Sequence, residues 1–261
     1  MSNLKKYILY KKSCLQSPET IKTDKYILEP YDHLTPEEAV EKFINWSQTV
    51  EIITAYNALK RLKTYYRWLY KNKYYNKDYS ELFPKIKQPK LKPKCLTRDQ
   101  SNILLQCSAR YSIKAQAIFS MFLFTGMRKS ELLNLHQEHV DLRAREIFIH
   151  KSKGNKDRLI PINESLYFVL RQWNKRRKKD LSYFSISERT LRRLKDKITL
   201  DTGFRFTFHQ LRHTFGTYMV QNGVDLISVR DIMGHSSVRT TELYLSSSSE
   251  HLKSEIDKLE F

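Results

Sequence analysis

Four stretches in the second half of the 261-residue chain carry polar side chains that a helical core does not ask for. In Thr125-Gly126-Met127-Arg128-Lys129-Ser130-Glu131-Leu132-Leu133 an apolar run meets a glycine turn, and a new helix begins with Arg128 near its N-terminus. A guanidinium there is aimed at anions, since its planar fork matches a carboxylate or phosphate edge two bonds at a time. Lys153 stands beside Gly154 in a short polar turn, so its ammonium rides on a flexible tip that can reach into a groove. His209-Gln210-Leu211-Arg212-His213-Thr214-Phe215-Gly216 sets His209 and Arg212 three positions apart, hence on one helical face. Met233-Gly234-His235, followed by Thr240-Thr241-Glu242-Leu243-Tyr244, adds one more imidazole and an isolated phenol.

Taken singly these residues say little. Arg128 alone reads as a helix-surface arginine, Lys153 as a solvated turn lysine, and Tyr244 is one of sixteen tyrosines. His209 and His213 are four apart on a helix, as in a zinc protease. Gln210 stands where H-E-x-x-H requires glutamate, however, and Arg212 would repel a cation, so no metal is expected.

The elements that must carry these groups read mostly as helices, with one hairpin. Thr35-Pro36-Glu37-Glu38 is a helix start with a capping box, and Ala39, Val40, Phe43, Ile44 and Trp46 form the expected buried face. Over 51–71, Ile53, Tyr56, Leu59, Leu62, Tyr66 and Leu69 recur at three and four. Tyr65, Tyr66, Tyr70, Tyr74 and Tyr75 read as helix packing and rim rather than as platforms for bases. Residues 1–30 show no clear period and are expected to be an arm or a short irregular segment. The stretch KIKQPKLKPK has the composition of an extended, solvated tether. A second capping box, Thr97-Arg98-Asp99-Gln100, restarts the helices and leads to the strongly apolar 117–124. Residues 146–150 and 158–162 are β-type runs joined by the turn that holds Lys153. Helical patterns resume from Leu166; 187–197 presents a basic face of Arg189, Arg192, Arg193 and Lys197, and 250–261 sets Leu252, Ile256 and Leu259 on one stripe. The fold class is therefore mainly α: a small helical N-terminal domain over 1–88, a linker over 89–95, and a larger, mostly helical domain with a small β-hairpin over 96–261.

With 40% hydrophobic and 29% charged residues the chain has the balance of a globular protein. No apolar run approaches the ~20 residues of a membrane span, and the N-terminus lacks a signal-peptide pattern, so a cytoplasmic protein is expected. Cys14, Cys95 and Cys107 form no C-x-x-C. The 47 Lys+Arg against 28 Asp+Glu leave +19, a field that attracts polyanions. Residues 1–94 hold 19 basic against 10 acidic residues and the remainder 28 against 18, giving +9 and +10. Two basic domains on a lysine-rich tether describe a clamp closing around duplex DNA.

In order along the chain, these motifs resemble those of the tyrosine recombinase (phage integrase) family, whose catalytic domain is similar to that of type IB topoisomerases. The resemblance spans about 96–252. The family's T-G-hydrophobic-R-x-x-E-hydrophobic motif falls on Arg128 and Glu131, and its hairpin lysine before glycine on Lys153. H-x-L-R-H-T/S-F falls on His209 and Arg212, hydrophobic-G-H on His235, and the tyrosine nine residues later on Tyr244. The resemblance implies a site-specific recombinase that cuts and rejoins DNA through a 3′-phosphotyrosine on Tyr244. Arg128 and Arg212 would bind the phosphate, His209 act as base, Lys153 protonate the 5′ oxygen, His235 donate a further hydrogen bond, and Glu131 brace Arg128. No cofactor, metal or ATP is implied. The N-terminal domain would be the core-binding domain. The partners implied are double-stranded DNA, three further protomers in a homo-tetramer on two sites, and a possible second recombinase or accessory protein; the task would be integration, excision or chromosome dimer resolution. Lys92, Lys94, Lys156, Arg158, Arg189, Arg192 and Arg193 are the expected DNA contacts. Two rivals remain open: a non-catalytic DNA-binding regulator or accessory factor, indifferent to loss of Arg128 or Arg212, and a site-independent type IB topoisomerase that relaxes any supercoiled plasmid.

Overall fold

The computed structural model of the chain describes residues 1–88, 94–150, 157–178 and 180–234. It divides into two compact units, Met1–Leu91 and Lys92–Phe261, both mainly α-helical.

The first unit is built from α1 (Asn3–Ser13), α2 (Pro18–Leu28), α3 (Pro36–Ser47) and α4 (Ile52–Lys71). Ser2 and Ser17 cap the first two helices, and Thr35 with Glu38 forms a complete capping box on α3. Residues 1–30 are therefore two helices, not an irregular arm. Their periodicity is faint because each buries so little: Leu4 and Tyr7 on α1, Asp24 and Leu28 on α2. A carboxylate on the inner face of α2 breaks the apolar pattern; Asp24 is held by Arg61 of α4 and by Lys11. The core lies against α4, where Leu62, Tyr65, Tyr66 and Leu69 are buried, whereas Tyr70 and Tyr74 are exposed. Ile44 is also exposed and does not belong to the buried face of α3.

In the second unit α5 (Arg98–Tyr111) starts at the Thr97–Gln100 capping box. The next helix, α6 (Ile113–Thr125), is apolar on every side, which requires burial all round. It packs against α5, α8 (Glu164–Arg176) and α10 (Phe208–Gln221), with Ala117, Ile118, Phe119 and Phe122 fully enclosed. The short α7 (Lys129–Leu133) leads into an antiparallel sheet of β1 (Val140–Asp141), β2 (Glu146–Ile149) and β3 (Arg158–Pro161), in that order. In the β2–β3 ladder Ile147 faces Ile160 and Ile149 faces Arg158. The helices α9 (Glu188–Thr202) and α11 (Leu226–Met233) complete the described part. The start of the unit is pinned to α10: Leu96 N–H donates to Thr214 Oγ1 at 2.9 Å, and the Tyr218 hydroxyl donates to the Leu96 carbonyl at 3.1 Å.

Candidate active site

Arg128 and Arg212 reach the same place by different routes. Helix α6 ends at Gly126 with φ +60°, where a Cβ would collide with the ring of Phe215, so only glycine lets the α6 terminus approach α10 this closely. That approach brings the Gly126 carbonyl to Arg212, whose Nη1 donates to it at 2.6 Å and whose Nη2 donates to the Met233 carbonyl at 2.5 Å. Arg128 sits just ahead of α7, and its Nη2 donates to the Gly234 carbonyl at 3.0 Å. Both guanidiniums thus converge on the last carbonyls of α11.

Glu131 holds Arg128 from below. One carboxylate oxygen accepts from the Arg128 backbone N–H at 2.7 Å and the other from Nη1 at 2.8 Å. The same carboxylate takes a second, bidentate guanidinium, Arg158, at 3.0 and 2.8 Å. Burial pushes the Glu131 carboxyl up, but Arg158 and then Arg128 outweigh it and hold it at about 2. The Arg158 side chain is only 7% exposed, which corrects its expected place on the DNA surface: it faces inward from β3 because the strand alternates, with Arg158 and Ile160 buried and Leu159 exposed.

His209 and His213 lie on one face of α10, their rings edge to face at 4.3 Å. Burial lowers the His209 imidazole below its ordinary value, and Arg212 and Arg128 lower it further. Lowered from an ordinary value already below 7, His209 is uncharged at neutral pH, the form able to accept a proton.

A paired buried acid, two converging arginines and an uncharged histidine can bind a phosphate and move a proton beside it. The phage integrase family model matches residues 94–251 of this chain. The tyrosine recombinase XerA of Thermococcus onnurineus is 32% identical over 212 residues, covering 77% of this chain and 73% of that protein. The chain belongs to the phage integrase family of tyrosine recombinases. The XerA of Pyrococcus horikoshii is 34% identical over 187 residues, 67% of this recombinase and 64% of its relative. The fold agrees: a structure of the lambda integrase, residues 75–356, bound to DNA matches over all of both chains, with TM-score 0.76 and 15% identity.

The remaining expected site residues of the recombinase are distributed as follows. Lys153, His235 and Tyr244 lie outside the described residues, as do Lys92 and Lys156. Lys94, Arg189, Arg192 and Arg193 are exposed, and Arg192 pairs with Glu188 at 3.0 Å. Sequence reasoning missed the buried role of Arg158, although reading β3 with period two would have turned it inward alongside Ile160. It also missed the grip on α11, because backbone carbonyls leave no signature in a sequence.

Outside this site, His136, Glu138 and His139 bring metal-ligating atoms within 4.8 Å of one another. One of the two histidine rings is already engaged. The His136 backbone N–H donates to His139 Nδ1 at 3.3 Å, which puts the proton of the neutral ring on Nε2, the atom that would have to ligate.

Proposed function

We propose that this recombinase breaks and reseals one strand of double-stranded DNA at a time through a 3′-phosphotyrosine on Tyr244. The reading is carried by the convergence of Arg128 and Arg212 on the last carbonyls of α11, with His209 uncharged under the influence of both, and in the sequence Tyr244 follows His235 by nine residues, the family's spacing.

Each step follows from the groups at hand. A phenol with a reference pKa near 10 is only about one part in a thousand ionised at neutral pH, so its proton must be taken, and His209 is the base. Attack gives a five-coordinate phosphorus with charge on its non-bridging oxygens, which the forks of Arg128 and Arg212 neutralise. A guanidinium has five N–H donors, more than the two with which Arg128 holds Glu131 and Gly234 through its side chain. Lys153 protonates the departing 5′ oxygen and His235 adds a hydrogen bond to the phosphate. The phosphotyrosine ester conserves the energy of the broken bond, so the free 5′ hydroxyl reseals the strand without ATP.

The described part of the first unit, 1–88, serves as the core-binding domain, with 89–95 as the tether of a clamp around the duplex. Four protomers act on two sites, with a second recombinase or an accessory protein where the reaction requires one. The task is integration, excision or chromosome dimer resolution, carried out in the cytoplasm; no helix among the described residues is long and apolar enough to cross a membrane.

The test is covalent trapping. On a nicked suicide duplex built around the cleavage position mapped on host DNA, the parent protein should form a protein–DNA adduct. Tyr244→Phe should bind the same duplex and form none. An adduct that survives in the Phe variant removes Tyr244 as the nucleophile.

A further inference from the structure

Three consecutive carbonyl oxygens close helix α11, and a different arginine holds each. The Ile232 oxygen accepts from Arg158 Nε at 2.8 Å, the Met233 oxygen from Arg212 Nη2 at 2.5 Å, and the Gly234 oxygen from Arg128 Nη2 at 3.0 Å. The last carbonyls of a helix have no partner inside it and carry the negative end of its dipole, so cations are favoured there. Two of these arginines are the phosphate ligands assigned above. The third, Arg158, has no such assignment.

Arg158 makes a second set of bonds with the same planar group. While Nε reaches the α11 terminus, Nη1 and Nη2 form the bidentate pair with Glu131, the carboxylate that also holds the backbone and side chain of Arg128. One guanidinium therefore joins strand β3, the start of α7 and the end of α11. The fit is close: at Gly234, with φ +65°, a Cβ would lie 2.9 Å from Arg158 Nη1 and 3.0 Å from its Cδ. A lysine could not replace it, because a single ammonium cannot cover both carboxylate oxygens and a carbonyl in three fixed directions. By sequence, Arg158 follows the turn that carries Lys153, and Gly234 immediately precedes His235.

We propose that Arg158 is a positioning residue for strand cleavage, locking the Glu131 carboxylate beneath Arg128 and the last turn of α11 into one fixed arrangement without touching DNA. This rests on the reading of Arg128 as a phosphate ligand. Arg128 keeps a third of its side chain in solvent, whereas the Glu131–Arg158 pair beneath it is enclosed. An outer arginine seated on an enclosed ion pair is aimed before the phosphate arrives, and misplacement by about 1 Å can cost 10²-fold in rate.

The test uses the full chain and the suicide duplex above, with Arg158→Lys, Arg158→Met, Glu131→Gln and the double variant Arg158→Met/Glu131→Gln. The double variant removes both members of the buried pair and so leaves neither charge stranded, which protects its folding. Thermal unfolding is recorded for each. Duplex affinity and its salt dependence should match the parent within about twofold, while single-turnover adduct formation slows by roughly 10²-fold. The double variant should be no slower than the worse of Arg158→Met and Glu131→Gln alone, because both act through one unit. Three results would overturn the proposal: a folded Arg158→Lys that cleaves within threefold of the parent, a folded double variant that cleaves at the parental rate, or a salt slope lowered by about one, which would put Arg158 on a phosphate. A parent that forms no adduct, or an adduct independent of Tyr244, would instead bring down the reading of the site itself. A Tyr244-dependent parent adduct with an indifferent Arg158 sinks this inference alone.

Discussion

An arginine free to rotate must give up side-chain entropy whenever it meets a phosphate, and the two that converge here have given it up beforehand. Arg212 is 3% exposed and tied to Gly126 and Met233; Arg128 is tied to Glu131 and Gly234. The same cationic enclosure acts on the histidines beside them. Burial, with His209 and Arg212 adding to it, pushes His213 down to about 4 from its ordinary 6.5. Its charged form is thus penalised in the folded chain, while the unfolded chain takes up a proton as soon as pH drops below about 6.5. Stability contributed by the neutral ring is full above 6.5, is lost progressively as pH falls, and changes no further below about 4. Between pH 7.5 and 5 the loss should reach about 2 kcal/mol. Urea unfolding of the parent and of His213→Gln at these two values should show the variant losing about 2 kcal/mol less. Identical pH dependence in the two proteins would mean that His213 titrates normally in the folded chain.

At the scale of elements, the site depends on how closely the end of α6 approaches α10 at Gly126. Gly126→Ala would force a left-handed backbone on a residue with a Cβ, at about 1–2 kcal/mol, and drive that Cβ into Phe215, with overpacking adding roughly 1–3 kcal/mol. Since the Gly126 carbonyl also anchors Arg212, adduct formation should fall further than duplex affinity does. Gly203→Ala is the control: its φ is +74° but nothing lies within 4 Å of the added Cβ, so it should cost about 1 kcal/mol of backbone strain and leave cleavage alone. Equal effects from the two substitutions would separate the α6–α10 contact from the chemistry. What was legible in the sequence follows the same division between local and distant causes. The boxes at Thr35 and Thr97, the all-apolar α6 and the strands flanking Lys153 are local signals, and each element formed where its signal stood. Helices α1 and α2 escaped notice because their inner faces are small and one of them includes Asp24. Arg158 escaped for another reason: its inward direction is written in the alternation of β3, but its partners are a carboxylate 27 positions away and a backbone carbonyl 74 positions away. No local pattern names either.

Across the whole molecule the charge is shared between its parts, and this decides how DNA binding should respond to salt. If both parts contact the duplex, as proposed above, the +9 of the first 94 residues and the +10 of the rest release counterions together, and log affinity should fall linearly with log salt at about −0.9 per neutralised phosphate. For six to ten such contacts the affinity for a non-specific duplex drops by roughly 10³–10⁵ between 50 and 200 mM salt. The exposed face of α9 divides this prediction among residues. Arg189 and Arg193 have no ion pair with an acid among the described residues, whereas Arg192 shares Glu188 with Lys129. Arg189→Ala and Arg193→Ala should each flatten the slope by about one and weaken all sequences alike, and Arg192→Ala should do less, because part of its charge is already matched within the protein. Slopes measured by titrating each variant with a site-free duplex would decide it: if all three leave the slope at the parental value, α9 faces away from the duplex and the clamp closes through other lysines and arginines.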